Sequence, residues 1–360
     1  MRFEVLFRAI GLIILYAICL ALYIFLHSQF YLIVLIIMLL GPIFSIGMAG
    51  HLRDKTEVRV MAGTVSTATD VSLIRMEDMY GKQDEEVYFC IKLDNPTLFV
   101  SLDVKMILEI SNLFFGVTTE RTISVPIRAK TGYEFMLPIV PRLPGVIKVT
   151  VKKIEIKDLS GLCFFKKNID VSGETTVLPL TLKDVKYDKN DAEAGMLESE
   201  ESNKRGNDFS DVQEIREYIP GDKLMSIHWK LSAKRDILMV KDRVSMSDRQ
   251  LVVVPELCGT DQASLNMVVT SAYSVISEMI EDKTSIRLIY WSCNRDDYEE
   301  TRIDYKEDLQ NAFAQMFYES TYNSPDEAAS NMASVHPEIK AYLHISAEGR
   351  NLKLQVRENI

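Results

Sequence analysis

The chain has 360 residues, 47% of them hydrophobic, with five cysteines and a formal net charge of −10. Such a length accommodates two soluble domains plus a membrane segment, and the acidic balance argues against a general nucleic-acid binder, which needs a basic face. Cys19, Cys90, Cys163, Cys258 and Cys293 are odd in number and lack CxxC spacing; this argues against a disulfide framework or a zinc site and fits a reducing compartment.

Ala9 to Gly50 contains no Lys, Arg, Asp or Glu, and His27-Ser28-Gln29 interrupts the apolar run near its middle. Each half approaches the roughly 20 apolar residues needed to cross a bilayer. Two transmembrane helices follow, about Leu6–Leu26 and Phe30–Ala49, joined by a very short turn. A cleaved signal peptide has one short apolar region and a small-residue cleavage site; the second run and the lack of Ala-x-Ala after the first argue against one. Gly41-Pro42 is placed to kink the second helix. Between Ala9 and Gly50 neither helix carries a charge, which points to an anchor rather than a transport path. Arg2 and Arg8 precede the uncharged run of the first helix, and Arg53, Lys55 and Arg59 follow the second helix, while the turn has no lysine or arginine. By the positive-inside rule both flanks, and with them the rest of the chain, are cytoplasmic.

From Thr56 to about Leu180 the period is two. Val87, Phe89, Ile91 and Leu93 alternate with polar neighbours, as do Leu102 to Ile110 and Ile123 to Ile127; Val149 and Val151, then Ile154 and Ile156, continue the pattern. Asn95-Pro96, Lys130-Thr131-Gly132, Leu143-Pro144-Gly145 and Ser160-Gly161 read as turns between them. Short alternating strands at this spacing predict an antiparallel β-sandwich, immunoglobulin-like in class. Phe114, Phe115, Phe164 and Phe165 read as packing aromatics. Asp184 to Asp211 is polar and acidic without a period, the composition of a mobile linker.

Arg216 to Lys241 is the densest stretch: REYIPGDKLMSIHWKLSAKRDILMVK. Pro220-Gly221 is a turn dipeptide, and Asp222 is placed to cap a short helical turn, Lys223–Ser226. Ile227 and Trp229 alternate with His228 and Lys230, which predicts one face of an extended segment. Ser232 is a possible start for another turn, and Ile237, Leu238, Met239 and Val240 read as a short buried strand. Leu251–Val254 has the β-branched character of a strand buried on both faces. Leu265 to Ile280 has helical spacing, Ile286–Tyr290 reads as a strand and Lys306–Tyr318 as a helix; Pro325 opens a further helical piece, and Ala341–Ile345 and Leu352–Val356 are strands. This alternation predicts an open α/β sheet flanked by helices.

Arg216, Tyr218, Gly221, Asp222, Ile227, Trp229, Ser232, Ala233, Leu238, Val240 and Lys241 together resemble the signature of the DUF58 family, Arg-x-Tyr-x-x-Gly-Asp, Ile-x-Trp, Ser-Ala-Arg, Leu-x-Val-Lys/Arg. Lys234 stands where the family usually has arginine, with Arg235 one place later, and a lysine point charge does not replace an arginine fork. Asp158-Leu159-Ser160-Gly161-Leu162-Cys163-Phe164, with Gly145-Val146 before it, resembles the end of that family's β domain more weakly.

The resemblance implies a von Willebrand factor type A-like domain at the carboxyl end. Its metal-dependent relatives carry Asp-x-Ser-x-Ser around Mg²⁺; here Pro255-Glu256-Leu257-Cys258-Gly259 stands in that place, so no metal is expected. The expected organisation is a hairpin over 1–55, a β-sandwich over 56–182, an acidic linker over 183–211 and the signature with its α/β domain over 212–360.

Chemistry in the signature would pair His228 with Asp222 or Asp211 and use Ser232 as nucleophile, but spacing alone does not assemble them, and no Gly-x-Ser-x-Gly, HExxH or P-loop occurs. The structural alternative pairs Arg216 with Asp222 and packs Tyr218 and Trp229 over the turn; a third reading makes Lys230, Lys234, Arg235 and Lys241 a surface for an acidic partner. Since such proteins commonly accompany a MoxR-type AAA+ ATPase, the resemblance implies a non-enzymatic, membrane-anchored scaffold contacting that partner through 216–241, without cofactor, nucleic acid or small-molecule substrate. The alternatives are a hydrolase using His228 and Asp222, or a plain adhesion module.

Overall fold

The computed structural model describes residues 2–63, 80–182, 211–219, 227–235, 237–244, 250–257, 261–282, 284–292, 295, 297–319, 336, 339, 341–348 and 351–358. The chain divides into two compact units, Met1–Leu178 and Pro179–Ile360.

The first unit begins with helices α1 (Arg2–Leu26) and α2 (Gln29–Lys55), both long and apolar enough to cross a membrane. His27 closes the link between them with φ 48, in the left-handed region. α2 continues through Pro42 and runs to Lys55, past the expected end at Ala49. The reason is tertiary: its last turns pack on the sandwich, burying Ser45, Ala49 and Leu52.

The sandwich strands are β1 (Glu57–Gly63), β2 (Tyr80–Lys82), β3 (Val87–Asn95), β4 (Ser101–Asn112), β5 (Val117–Ile127), β6 (Thr131–Ile139), β7 (Gly145–Lys157) and β8 (Phe164–Leu178). One sheet has the order β1-β3-β6 and the other β2-β8-β7-β4-β5, antiparallel apart from the β2–β8 pair. Phe89, Ile91 and Leu93 of one sheet and Val104, Met106, Leu108, Val149, Val151, Ile154 and Ile156 of the other are fully buried in a common core, which Ala49 and Leu52 of α2 complete. The fragments read at Val149–Val151 and Ile154–Ile156 are one strand. Opposite β4 the pairing passes from Lys153 to Val151, leaving Lys152 as an extra residue; this bulge resets the in-out alternation and makes one strand look like two. The alternation does not announce β6 or β8: β6 opens on Thr131-Gly132, which looks like a turn, and β8 is long, polar on its exposed face and interrupted by Gly173.

Asn95 sets the turn that closes β3. Its Nδ2 donates to the carbonyls of Phe99 and Arg128, each at 2.8 Å, and its Oδ1 accepts from Thr97 N at 2.9 Å and Thr97 Oγ1 at 2.7 Å. The buried amide thus uses its donors and acceptor in full. Asn95→Ala is expected to cost about 2 kcal/mol, because two carbonyls and an N–H lose their partners together; a thermal or denaturant melt of the purified chain measures it.

The second unit holds the hairpin β9 (Asp211–Glu217) and β10 (Met239–Val244), with the short helix α3 (Trp229–Arg235) between them. Its sheet has the order β13-β12-β11-β14-β15, formed by β11 (Gln250–Pro255), β12 (Ser285–Ser292), β13 (Asp297–Ile303), β14 (Ala341–Glu348) and β15 (Asn351–Glu358). β11 lies parallel to both β12 and β14, whereas β13 and β15 are antiparallel edges. A central strand between two parallel neighbours is shielded on both faces, which is why Leu251–Val254 is a continuous apolar run. α4 (Gln262–Glu281) connects β11 to β12, and α5 (Lys306–Glu319) follows β13. The Asp261 carboxylate accepts the Ser264 N–H at 2.7 Å and fixes the start of α4. β13 was not expected, since its sequence, Asp297–Ile303, is largely polar; the cross-strand Arg287–Glu300 pair, with contacts of 2.6 and 2.7 Å, belongs to an edge strand facing water.

Candidate functional site

Two places concentrate built polar geometry. The first is the seam between α2 and the sandwich, formed where the β7–β8 turn meets the helix. Asp158 is 4% exposed. Its Oδ2 accepts from Ser45 Oγ at 2.9 Å, from Ser160 N at 3.0 Å and from the Ser160 hydroxyl; its Oδ1 accepts from Cys163 N at 2.7 Å. Burial opposes ionisation of this carboxyl, but the donors from Ser160, Cys163 and Ser45 prevail and hold it below the usual carboxylate range. Around it, Phe99 meets Phe44 and His51 edge-to-face, the Arg53 guanidinium lies over the Phe165 ring, and Lys167 Nζ donates to the Thr56 carbonyl at 2.8 Å. Neither Ser45 nor Asp158 stands out in the sequence as a site residue. A lone serine late in an apolar helix carries no local signal, and Asp158 carried only the family resemblance.

The second place is the signature. β9 places Arg216 opposite Val240, and Lys241 opposite Ile215, in the β9–β10 register. Tyr218 N donates to the Leu238 carbonyl at 2.8 Å, and His228 N to the Met239 carbonyl at 2.7 Å. Gly221, Asp222, the expected Lys223–Ser226 turn and the side chains of Arg216 and Lys241 lie outside the described residues, so the pairing of Asp222 with Arg216 or His228 falls there too.

One expectation is corrected. Ile227 and Trp229 do not share a face of an extended segment: Ile227 is buried and bridges Val240, whereas Trp229 opens α3 and is 64% exposed. The reason is Ser232, which draws the chain into a helical turn. Its buried hydroxyl accepts the Met239 N–H at 2.8 Å and lies 3.1 Å from the His228 carbonyl, to which it donates. That hydroxyl clasps α3 to β10 and is committed to backbone partners, not to the His228 ring. Ile237 and Leu238 are likewise exposed, and the buried part of the expected strand is Met239–Val240.

α3 therefore presents Trp229, Lys230, Lys234 and Arg235 on an exposed surface, fixed from beneath by Ser232. Trp229→Ala is expected to cost less than about 0.5 kcal/mol in a melt, as exposed substitutions do; a loss of several kcal/mol would make the indole structural.

At the carboxyl end of β11, Glu256 N donates to the Ile345 carbonyl, and Glu256 Oε2 lies 3.3 Å from Nε2 of the buried His344, off hydrogen-bond geometry. Cys258 and Gly259 lie outside the described residues, and among those described no three His, Cys, Asp or Glu side chains group as metal ligands. In the sandwich, a groove of about 240 Å³ lined by Asn112, Arg121, Ile139, Arg142 and Ile147 opens at the end away from the α2 seam.

No family model and no curated protein matches this chain. Solved structures similar to its β-rich region include the CARDB domain of the PF1109 protein from Pyrococcus furiosus, 10% identical, with a TM-score of 0.22 over 35% of this chain and 87% of that one. The PapD-like domain 7 of human CEP192 is 16% identical, with a TM-score of 0.20 over 34% and 86%. A cohesin module from a Clostridium perfringens family 33 glycoside hydrolase is 6% identical, with a TM-score of 0.23 over 35% and 99%. The neighbours are thus immunoglobulin-like, PapD-like and CARDB domains, a likeness that carries no argument about activity.

Proposed function

We propose that this chain is a membrane-anchored cytoplasmic scaffold of the DUF58 kind, whose α3 surface docks a protein partner, a MoxR-type AAA+ ATPase. The observation that carries the reading is the exposed Trp229 beside Lys230, Lys234 and Arg235 on a helix clasped by Ser232. An exposed tryptophan flanked by cations on a rigid support has the composition of an interface hot spot. A membrane anchor is supported by α1 and α2, whose apolar side chains are largely exposed. The cytoplasmic side is supported by the charges: Arg8 and Arg53 both lie against the sandwich, while the His27-Ser28 link carries no lysine or arginine. For the second unit, the finer reading is a von Willebrand factor type A-like domain without its metal motif. Its support is the parallel β12-β11-β14 centre with Pro255-Glu256-Leu257 where an aspartate and a serine would otherwise stand.

Affinity purification of the full chain from its native membranes tests the proposal. A MoxR-type ATPase is expected to co-purify, with a roughly tenfold or greater loss in Trp229→Ala and in the double variant Lys234→Glu, Arg235→Glu, both retaining the parent melting temperature. Absence of the ATPase from the parent eluate, or equal recovery with the variants, overturns it.

A further inference from the structure

The helical hairpin and the sandwich share one compact unit, and the level at which they join fixes how deep the sandwich sits. From Gln29 to Phe44, α2 spans about 24 Å at 1.5 Å per residue, short of the ~30 Å hydrocarbon layer. The missing length lies beyond: Ser45 to Gly50 continues without charge and adds about 9 Å. Tilting the helix only lengthens the requirement. Yet Ser45 is already tied to Asp158, Phe44 and His51 bracket Phe99, and Ala49 is in the sandwich core. The last 5–10 Å of the span is therefore shared by helix and sandwich, the depth at which amphipathic elements seat at the headgroup boundary.

The composition of the sandwich at that level agrees. The β3–β4 turn with the start of β4, and the β7–β8 turn, which touch Phe44 and Ser45, expose Leu98 (70%), Leu102 (79%) and Leu159 (52%), with Val100 between the first two. Exposed leucines gathered beside an apolar helix are a poor surface for water. The polar groups among them are internally satisfied, Asn95 and Asp158 by the bonds described above. The Arg8 guanidinium lies against Gly161, whose φ of +70 turns the backbone beneath it. A guanidinium at this height can reach phosphate while its stem stays among apolar groups.

We infer that the β3–β4 and β7–β8 turns form a collar seated in the bilayer interface around α2, with Leu98, Val100, Leu102 and Leu159 against lipid. This rests on the membrane-anchored reading above. The occupant is lipid because the turns that carry the patch touch α2 at Phe44, Ser45 and His51, within its apolar span, and because the span is too short without it.

The test uses the full chain with its native cysteines replaced and a single cysteine at Leu98→Cys, Leu102→Cys or Leu159→Cys, labelled with an environment-sensitive fluorophore and reconstituted in phosphatidylcholine vesicles. Leu113→Cys and Val140→Cys, exposed apolar positions at the opposite end of the sandwich, serve as controls. The expected result is blue-shifted emission from the three collar sites, quenched by lipid bearing a shallow nitroxide, with water-like emission from both controls. Vesicles that float with the chain while all five sites emit as in water overturn the collar alone. Shielded emission that the nitroxide lipid does not quench places protein on the patch and also overturns it. A chain that does not float overturns the membrane anchor and the collar with it.

Discussion

Asp158→Ala is expected to destabilise the first unit by about 3–4 kcal/mol, more than Asn95→Ala. The carboxylate is the common acceptor for Ser45 Oγ, Ser160 N, the Ser160 hydroxyl and Cys163 N. Truncation leaves the Cys163 N–H and the Ser45 and Ser160 hydroxyls without this acceptor in a buried seam, while Ser160 N keeps only its 3.2 Å bond to Ser45 Oγ. Ser45→Ala removes one donor to the carboxylate and the 3.2 Å second acceptor of Ser160 N, which still has the carboxylate, and should cost about 1 kcal/mol. A melt of the detergent-solubilised chain distinguishes them: the aspartate variant should lose roughly 10 °C and the serine variant a third of that. Equal, small losses would show that the seam is open to water.

The same carboxylate gives the seam a pH dependence of definite sign. Its folded-state pKa lies below the ordinary 3.8, so in the acid range the unfolded chain binds more protons at this site than the folded chain. The stabilisation is present in full above the ordinary carboxylate value and is lost as pH falls through the lowered folded value. The stability gap between the parent and Asp158→Asn should accordingly be constant near neutral pH and shrink below about pH 4. A gap that widens on acidification would contradict an ionised Asp158.

Leu52→Ala is expected to cost about 3 kcal/mol, within the range for a buried leucine truncated in a packed core. Leu52 is 1% exposed and packs in the sandwich core, although it belongs to a helix that begins in an apolar span. The matching control is Leu39→Ala on the same helix, where the side chain is 57% exposed within the protein. If Leu39 faces lipid, its truncation should cost well under 1 kcal/mol in a detergent melt. The Leu52 variant should in addition admit protease near Lys55-Thr56, because the cap that Thr56 Oγ1 makes to the Leu52 carbonyl at 2.7 Å depends on the seated turn. Equal losses for the two variants would mean that α2 ends as a tether without entering the sandwich.

These outcomes separate what the amino-acid pattern announces from what it conceals. Uncharged length announced α1 and α2, and period-two alternation announced β3, β4 and the inner part of β5. The continuous run at Leu251–Val254 announced a strand between parallel neighbours, and three- and four-residue spacing announced α4 and α5. Each is a local rule, in which burial of one face dictates residue type at a fixed repeat. The strands that escape such rules, β1, β2, β6, β8, β9 and β13, are edges or polar-faced partners whose identity comes from the strand beside them rather than from their own composition. Lys152 escaped because a bulge is defined only by the register of two strands.

For the candidate site, sequence alone determined the chemistry on offer: an uncharged hairpin, and a tryptophan among cations in one short span. Tertiary structure decided its disposition. A hydroxyl can clasp backbone or serve as a reactive group, and only the approach of Met239 commits Ser232 to the former. An aspartate in a turn is ordinarily solvated, and only the arrival of Ser45, 113 residues earlier in the chain, makes Asp158 the point where helix and sandwich are joined. Both depend on contacts between distant segments, and such contacts leave no periodic trace in the chain because neither partner's neighbours need change to allow them.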